Sequence, residues 1–185
     1  MRHLQIKLIL GLLVMATGCT HMMKFTPPDV QAVPFDGARK GTAVITGVED
    51  RRPEKTSAFI FSNPPHKWVY HTDEKVEDVV RRLVKEGLQR RGLAEGANSV
   101  WQVNVEILDF SGHNIKGFWY VGKCVYTIRC AIQFKGPDGV KALTVSGSGE
   151  NRIARLSEEN MDVLLSRAYD DFLKNLGQEL ARICY

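Results

Sequence analysis

Apolar positions fall along this chain in three distinct patterns. The first is an unbroken run over residues 8–15 behind the basic start Arg2 and Lys7, too short to span a bilayer comfortably. The second has period two. Residues 42–48 form a β-branched run between Gly41 and the polar Glu49-Asp50-Arg51-Arg52-Pro53, which predicts a first strand. Residues 100–110 alternate Trp101, Val103, Val105 and Ile107 against Gln102, Asn104 and Glu106, and residues 124–134 do the same through Tyr126, Ile128, Cys130, Ile132 and Phe134. The turn Gly136-Pro137-Asp138-Gly139 then returns the chain as a hairpin to about residue 152.

The third pattern is helical. From Asp73 onward Val76, Val79, Val80, Leu83, Val84 and Leu88 share one helix face, with acids early and Arg90 and Arg91 before Gly92. A longer stripe comes after Ser157, a suitable N-cap: Met161, Leu164, Leu165, Ala168, Tyr169, Phe172, Leu176, Leu180 and Ile183. Between the first strand and first helix, Asn63-Pro64-Pro65 reads as the break in a loop.

This order predicts an α+β fold: a two-layer α/β sandwich with a mixed sheet of about four strands (β-α-β-β-β-α) and two helices on one face. The first two strands are parallel through a right-handed crossover, and the last three form an antiparallel meander. The face carrying Gln102, Asn104, Glu106, Thr127, Arg129 and Gln133 is then wet, or covered by the preceding linker or a partner. Residues 1–18 read as a signal peptide, 19–40 as an acylated N-terminus and flexible linker containing Pro27, Pro28 and Pro34, and 41–185 as a single α/β domain.

Composition adds limits. In a chain of 185 residues with 44% apolar content there is room for one core. Removing Arg2 and Lys7 with the signal lowers the formal charge from +4 to +2, and no basic block is present, so nucleic acid is not expected as a partner. Ala16-Thr17-Gly18-Cys19 resembles the bacterial lipobox, in which the cysteine is acylated and becomes the first mature residue. Ala16 stands where a larger aliphatic residue is usual, which leaves plain cleavage after Gly18 as the competing reading. Thr20, in place of Asp, resembles the outer-membrane class.

The other cysteines are Cys124, Cys130 and Cys184. Cys124 and Cys130 lie roughly 20 Å apart on one strand, at about 3.3 Å per residue, too far to bond to each other. The last helix runs back toward the hairpin, so Cys130 with Cys184 is the favoured disulfide; three reduced, buried thiols is the alternative.

Few residues suggest catalysis. Gly117 to Lys123 has the spacing of a phosphate-binding loop, but a strand comes next where a helix is needed, and Phe118-Trp119-Tyr120 would crowd an anion. Ser146-Gly147-Ser148-Gly149 lacks the glycine spacing of a nucleophile elbow and reads as a glycine-relaxed strand. His66, His71 and His113 are scattered, and no cysteine pair has metal-ligand spacing, so neither metal nor cofactor is expected. Leu165-Ser166-Arg167-Ala168 has the wrong spacing for the peptidoglycan-holding motif of OmpA-like domains.

Two candidate contact surfaces remain. Asp50, Arg51 and Arg52 could form a recognition loop for a carboxylate or phosphate, or a turn in which Asp50 pairs with a neighbouring Arg. Phe118, Trp119 and Tyr120 could form an apolar patch for lipid or protein, or continue a strand into the core.

Taken together, Cys19, the proline-bearing linker, TAVITGV followed by EDRRP, the helix ending LQRRGL, the strand VWQVNVEILDF, the hairpin and the long last helix resemble the YajG family of bacterial lipoproteins. The architecture is also similar to LptE-type lipoproteins and to lipoprotein subunits of lipid-transporting ABC systems. The resemblance supplies no catalytic residues. It implies a non-catalytic binding or scaffold domain, lipid-anchored at the outer membrane and facing the periplasm, whose partner is an envelope protein or lipid. An accessory role in lipid or lipopolysaccharide transport is the second expectation.

Overall fold

The computed structural model describes residues 20–24, 27–30, 41–53, 58–63, 66–71, 74–96, 99–115, 122–153 and 157–183. Its strands are β1 (Thr20–Lys24), β2 (Gly41–Asp50), β3 (Ala58–Asn63), β4 (His66–His71), β5 (Leu93–Glu95), β6 (Trp101–Ile115), β7 (Gly122–Gly136) and β8 (Gly139–Ile153). Two helices, α1 (Val76–Gln89) and α2 (Glu158–Ile183), complete the described fold.

Everything is organised on β6. Its one edge carries β7 and then β8, both antiparallel, as the meander pattern predicts. The other edge is shared: β2 pairs with it in parallel from Trp101 to Ile107, and β3 pairs with it in parallel from Ser111 to His113. Beyond β2 lies the short β5, and beyond β3 lie β4 and β1. Strands β5, β2, β6, β7 and β8 form the five-stranded layer under the helices: α1 rests on β2 and β5, α2 on β8 and β7, and the helices touch each other.

The α+β class and both helices on one face therefore hold, while the expectation of about four strands is too low. The missed strands have separate causes. Strand β5 is three residues long, too short to show a period. Strands β3 and β4 are the aromatic and β-branched runs AFIFSN and HKWVYH, paired from Asn63↔His66 outward, so the prolines lie between the arms of a hairpin where the sequence suggests a broken loop. Strand β1 occupies the start of the stretch expected to be a linker, and most of the rest of that stretch lies outside the described residues.

Two one-residue bulges set which side chains reach the core. In β2 the register against β6 shifts between Ile45 and Gly47. In β6 the register against β7 shifts between Ile107 and Asp109. Each insertion reverses the inward phase of the residues after it. Val103, Val105 and Ile107 point inward before the second bulge and Phe110 after it. Ala43 and Ile45 face the core before the first bulge, and Val48 and Asp50 after it.

Helix ends obey the signals in the sequence. The Ser157 hydroxyl accepts the Asn160 N–H at 3.3 Å, the N-cap pattern. After α1, Gly92 takes a φ of 77°, and its N–H returns to the Gln89 carbonyl at 2.9 Å.

The seat of α2 on β8 depends on two glycines. A Cβ at Gly147 would meet the Ala168 carbonyl oxygen at 2.5 Å, and one at Gly149 would come within 2.8 Å of the Ala168 nitrogen and closer still to the Leu164 carbonyl. With hydrogen at both positions the helix backbone lies directly on the strand. The same helix closes the free edge of β8: Asp171 accepts the Ser148 N–H at 3.0 Å, Asn175 donates to the Ser146 carbonyl at 2.8 Å, and Arg167 donates to the Glu150 carbonyl. These side chains are spaced four apart on α2, one stripe satisfying an edge that would otherwise invite another strand.

Substitutions on the two sides of this contact should separate its parts. Gly149→Ala pushes a methyl group into the α2 backbone and lowers stability by about 1–3 kcal/mol, read as an earlier urea midpoint. Asp171→Ala accelerates hydrogen exchange at the Ser148 amide while costing only about 1 kcal/mol globally.

Candidate functional site

Asp50, Arg51 and Arg52 lie where β2 stops pairing with β6 and before β3 resumes. Arg51 keeps the ladder one step further, its N–H donating to the Ile107 carbonyl at 2.9 Å. The bulge at Thr46 has turned Asp50 inward, and a lone carboxylate there would be costly. Arg52 answers it: Nε donates to Oδ1 at 2.9 Å, a terminal nitrogen to Oδ2 at 2.7 Å, and the Arg52 N–H to Oδ1 at 3.0 Å. The other terminal nitrogen reaches the Phe110 carbonyl at 3.4 Å, in the stretch of β6 that neither β2 nor β3 covers. Both side chains are buried. Asp50 and Arg52 thus form an internal two-pronged ion pair.

Arg51 differs from its neighbour. It is 54% exposed and bridges Glu49 at 3.0 Å. The three residues grouped in the sequence are therefore separated, two into the interior and one onto the surface.

Around the pair lies a buried polar cluster that the sequence pattern did not single out. Tyr126 stacks edge-on against Phe110, ring centres 5.5 Å apart, and feels the charges of Arg52 and Asp109. Burial, reinforced by Tyr169, pushes its hydroxyl well above the usual range. Tyr169, on α2, is held neutral in the same way, chiefly by burial, with Arg82 and Asp162 acting in opposite directions. Arg82 forks onto Glu74, one arm at 2.9 Å. The apolar stripe of α2 places Tyr169 correctly, but stripe logic assigns it to greasy packing and does not reveal its polar surroundings.

What the cluster can do chemically is limited. The carboxylate and guanidinium neutralise each other, and both phenols stay protonated at neutral pH. A recess of about 250 Å³ lies over the helices, lined by Asp29, Val30, Arg90, Ser166, Tyr169, Asp170 and Leu173. It is smaller than the ~300–1,000 Å³ of ordinary small-molecule sites, and Arg90 at its wall is held by Glu86 at 2.7 Å.

Several other expected site residues have no described position: Cys19, Phe118, Trp119, Tyr120 and Cys184 lie outside the described residues. Cys130, the expected partner of Cys184, carries a free thiol buried in the core, as does Cys124; burial pushes these thiols up to about 12 and about 11 respectively. His113 is exposed. Among the described residues no group of three His, Cys, Asp or Glu side chains is placed to hold a metal ion. No described helix is long and apolar enough to cross a membrane. The sheet face away from the helices presents Gln102, Asn104, Arg129, Gln133, Ser146 and Ser148 to solvent, a broad polar surface.

No family model matches the chain, and no curated protein does. The resemblance to YajG-like and LptE-type lipoproteins thus has no counterpart there. Solved structures do match. A crystal structure of an uncharacterized protein shares 11% identity, covers 86% of this chain and 99% of its own, and superposes with a TM-score of 0.53. Protein XCC0632 from Xanthomonas campestris, of family DUF330, is 10% identical over 88% of this chain and 91% of its own, with a TM-score of 0.44. A minor lipoprotein from Acinetobacter baumannii is 12% identical over 74% and 92%, with a TM-score of 0.41. At this identity the likeness to the first is one of fold.

Removing the cation from the buried pair is the sharpest test of the Asp50–Arg52 assignment. Arg52→Met strands a carboxylate and costs about 3–5 kcal/mol of unfolding free energy, whereas the double variant with Asp50→Leu recovers much of it. Arg51→Ala stays within about 0.5 kcal/mol of the parent in the same urea titration.

Proposed function

We propose that this chain is a bacterial envelope lipoprotein, acylated at Cys19 and held at the outer membrane, whose periplasmic domain binds a partner and performs no reaction of its own. The observation that carries the reading is Cys19 itself, an isolated cysteine behind small residues and a short apolar run. A single acyl chain holds weakly, at about 0.8 kcal/mol per buried methylene, whereas several chains on one cysteine hold persistently.

Binding is favoured over catalysis by the way the ionisable groups are used. The buried Asp50 is tied to Arg52, and the buried Glu86 to Arg90, while the partly exposed Arg82 is held by Glu74. The broad polar face of the sheet is the surface on offer to an envelope protein. The alternative, an accessory role in lipid or lipopolysaccharide transport, loses one of its contacts. Arg52 already serves Asp50, leaving Arg51 as the guanidinium of that loop exposed to a phosphate.

Cys19→Ala moves the protein from the membrane pellet to the soluble periplasmic fraction, and the mature wild-type chain has an intact mass that includes the acyl groups. Membrane retention of the alanine variant would count against the anchor.

A further inference from the structure

The anchor residue and the sheet are neighbours in the chain. Strand β1 opens at Thr20, so one peptide bond, about 3.8 Å between Cα atoms, separates Cys19 from a hydrogen-bonded strand. Register carries that position across the molecule: Thr20 pairs with Lys67, Lys67 with Ser62, Ser62 with His113, His113 with Val125, and Val125 with Glu150. This is a single row through six strands. Because β1 runs opposite to β6, the Thr20 start of β1 is directed toward the Ile115 end of β6.

Beyond the row the sheet ends in cations. Lys123 and Arg152 pair with each other level with Ile115, and both are exposed. His113 in the row is exposed, and Lys67 occupies it as well. Lys123 also bridges Glu150, holding that carboxyl below its ordinary range, so the one acid in the row is matched by a base. At the other end of the same strands is the turn at Pro137 and Asp138, about 40 Å away at about 3.3 Å per residue.

We propose that the Thr20–His113–Lys123–Arg152 end of the sheet is the surface that meets the bilayer, so that β6, β7 and β8 stand on the membrane with the Asp138 turn farthest from it. This rests on acylation at Cys19. A strand paired from its first residue leaves no slack, so the lipid fixes which end is down. Basic residues there meet the phosphates of anionic headgroups, whose attraction falls off within a Debye length. The polar face of the sheet is then presented sideways, open to a partner beside the protein.

The test uses the lipidated full-length protein with Cys184→Ser, reconstituted in phosphatidylethanolamine–phosphatidylglycerol vesicles that carry a headgroup-linked quencher. A dye is placed at His113→Cys or at Asp138→Cys, and Lys135→Cys serves as a second distal position. Severalfold stronger quenching at His113 than at either distal position is expected. A flexible Gly-Ser spacer inserted between Cys19 and Thr20 should keep the protein on the vesicles and narrow that difference. Equal quenching at both ends, or stronger quenching at Asp138, in protein whose intact mass includes the acyl groups would overturn the orientation and leave the anchor standing. A mature chain with no acyl mass and no vesicle binding would overturn the anchor and the orientation with it.

Discussion

The phase of the inward-pointing side chains is the constraint on which the rest of the molecule depends. An uninterrupted β2 would keep Asp50 out of the core, and an uninterrupted β6 would turn Asp109 inward in place of Phe110. The two bulges exchange these pairs. The gain is a Phe110 ring against Tyr126 in the centre of the sheet. The cost is a carboxylate under the helices, which Arg52 offsets by closing back on it and taking the Phe110 carbonyl as well. The arginine thereby also fills the gap where one edge of β6 passes from β2 to β3.

Most of the domain is legible in the sequence because most of its elements bury one face. The meander, the parallel pairing of β2 with β6, the Ser157 cap and the Gly92 stop can be read from period, capping and turn chemistry. The hidden features have physical reasons. A bulge leaves residue types unchanged and alters only their phase, so a strict alternation gives no hint that Asp50 faces inward. A three-residue edge strand carries no period. Two adjacent prolines look like a stop, although β-rich runs on both sides were the available sign of a hairpin.

The candidate site was half legible. The turn-and-pair reading describes Asp50 and Arg52, but only three-dimensional packing separates Arg52 from Arg51. Tyr126 and Tyr169 sit at positions any apolar pattern fills, so their grouping with charged side chains could not be seen from spacing. The glycines of Ser146-Gly147-Ser148-Gly149 look like the relaxation of a strand; their role is to admit a helix backbone.

That helix has one more consequence. An open strand edge converts encounters between copies of a chain into shared sheets. In the five-stranded layer under the helices one outer strand, β5, is only three residues long, and at the opposite margin Arg167, Asp171 and Asn175 already occupy backbone groups of β8 that a neighbour would seek. A single polar stripe on the last helix thus closes the long outer strand of that layer.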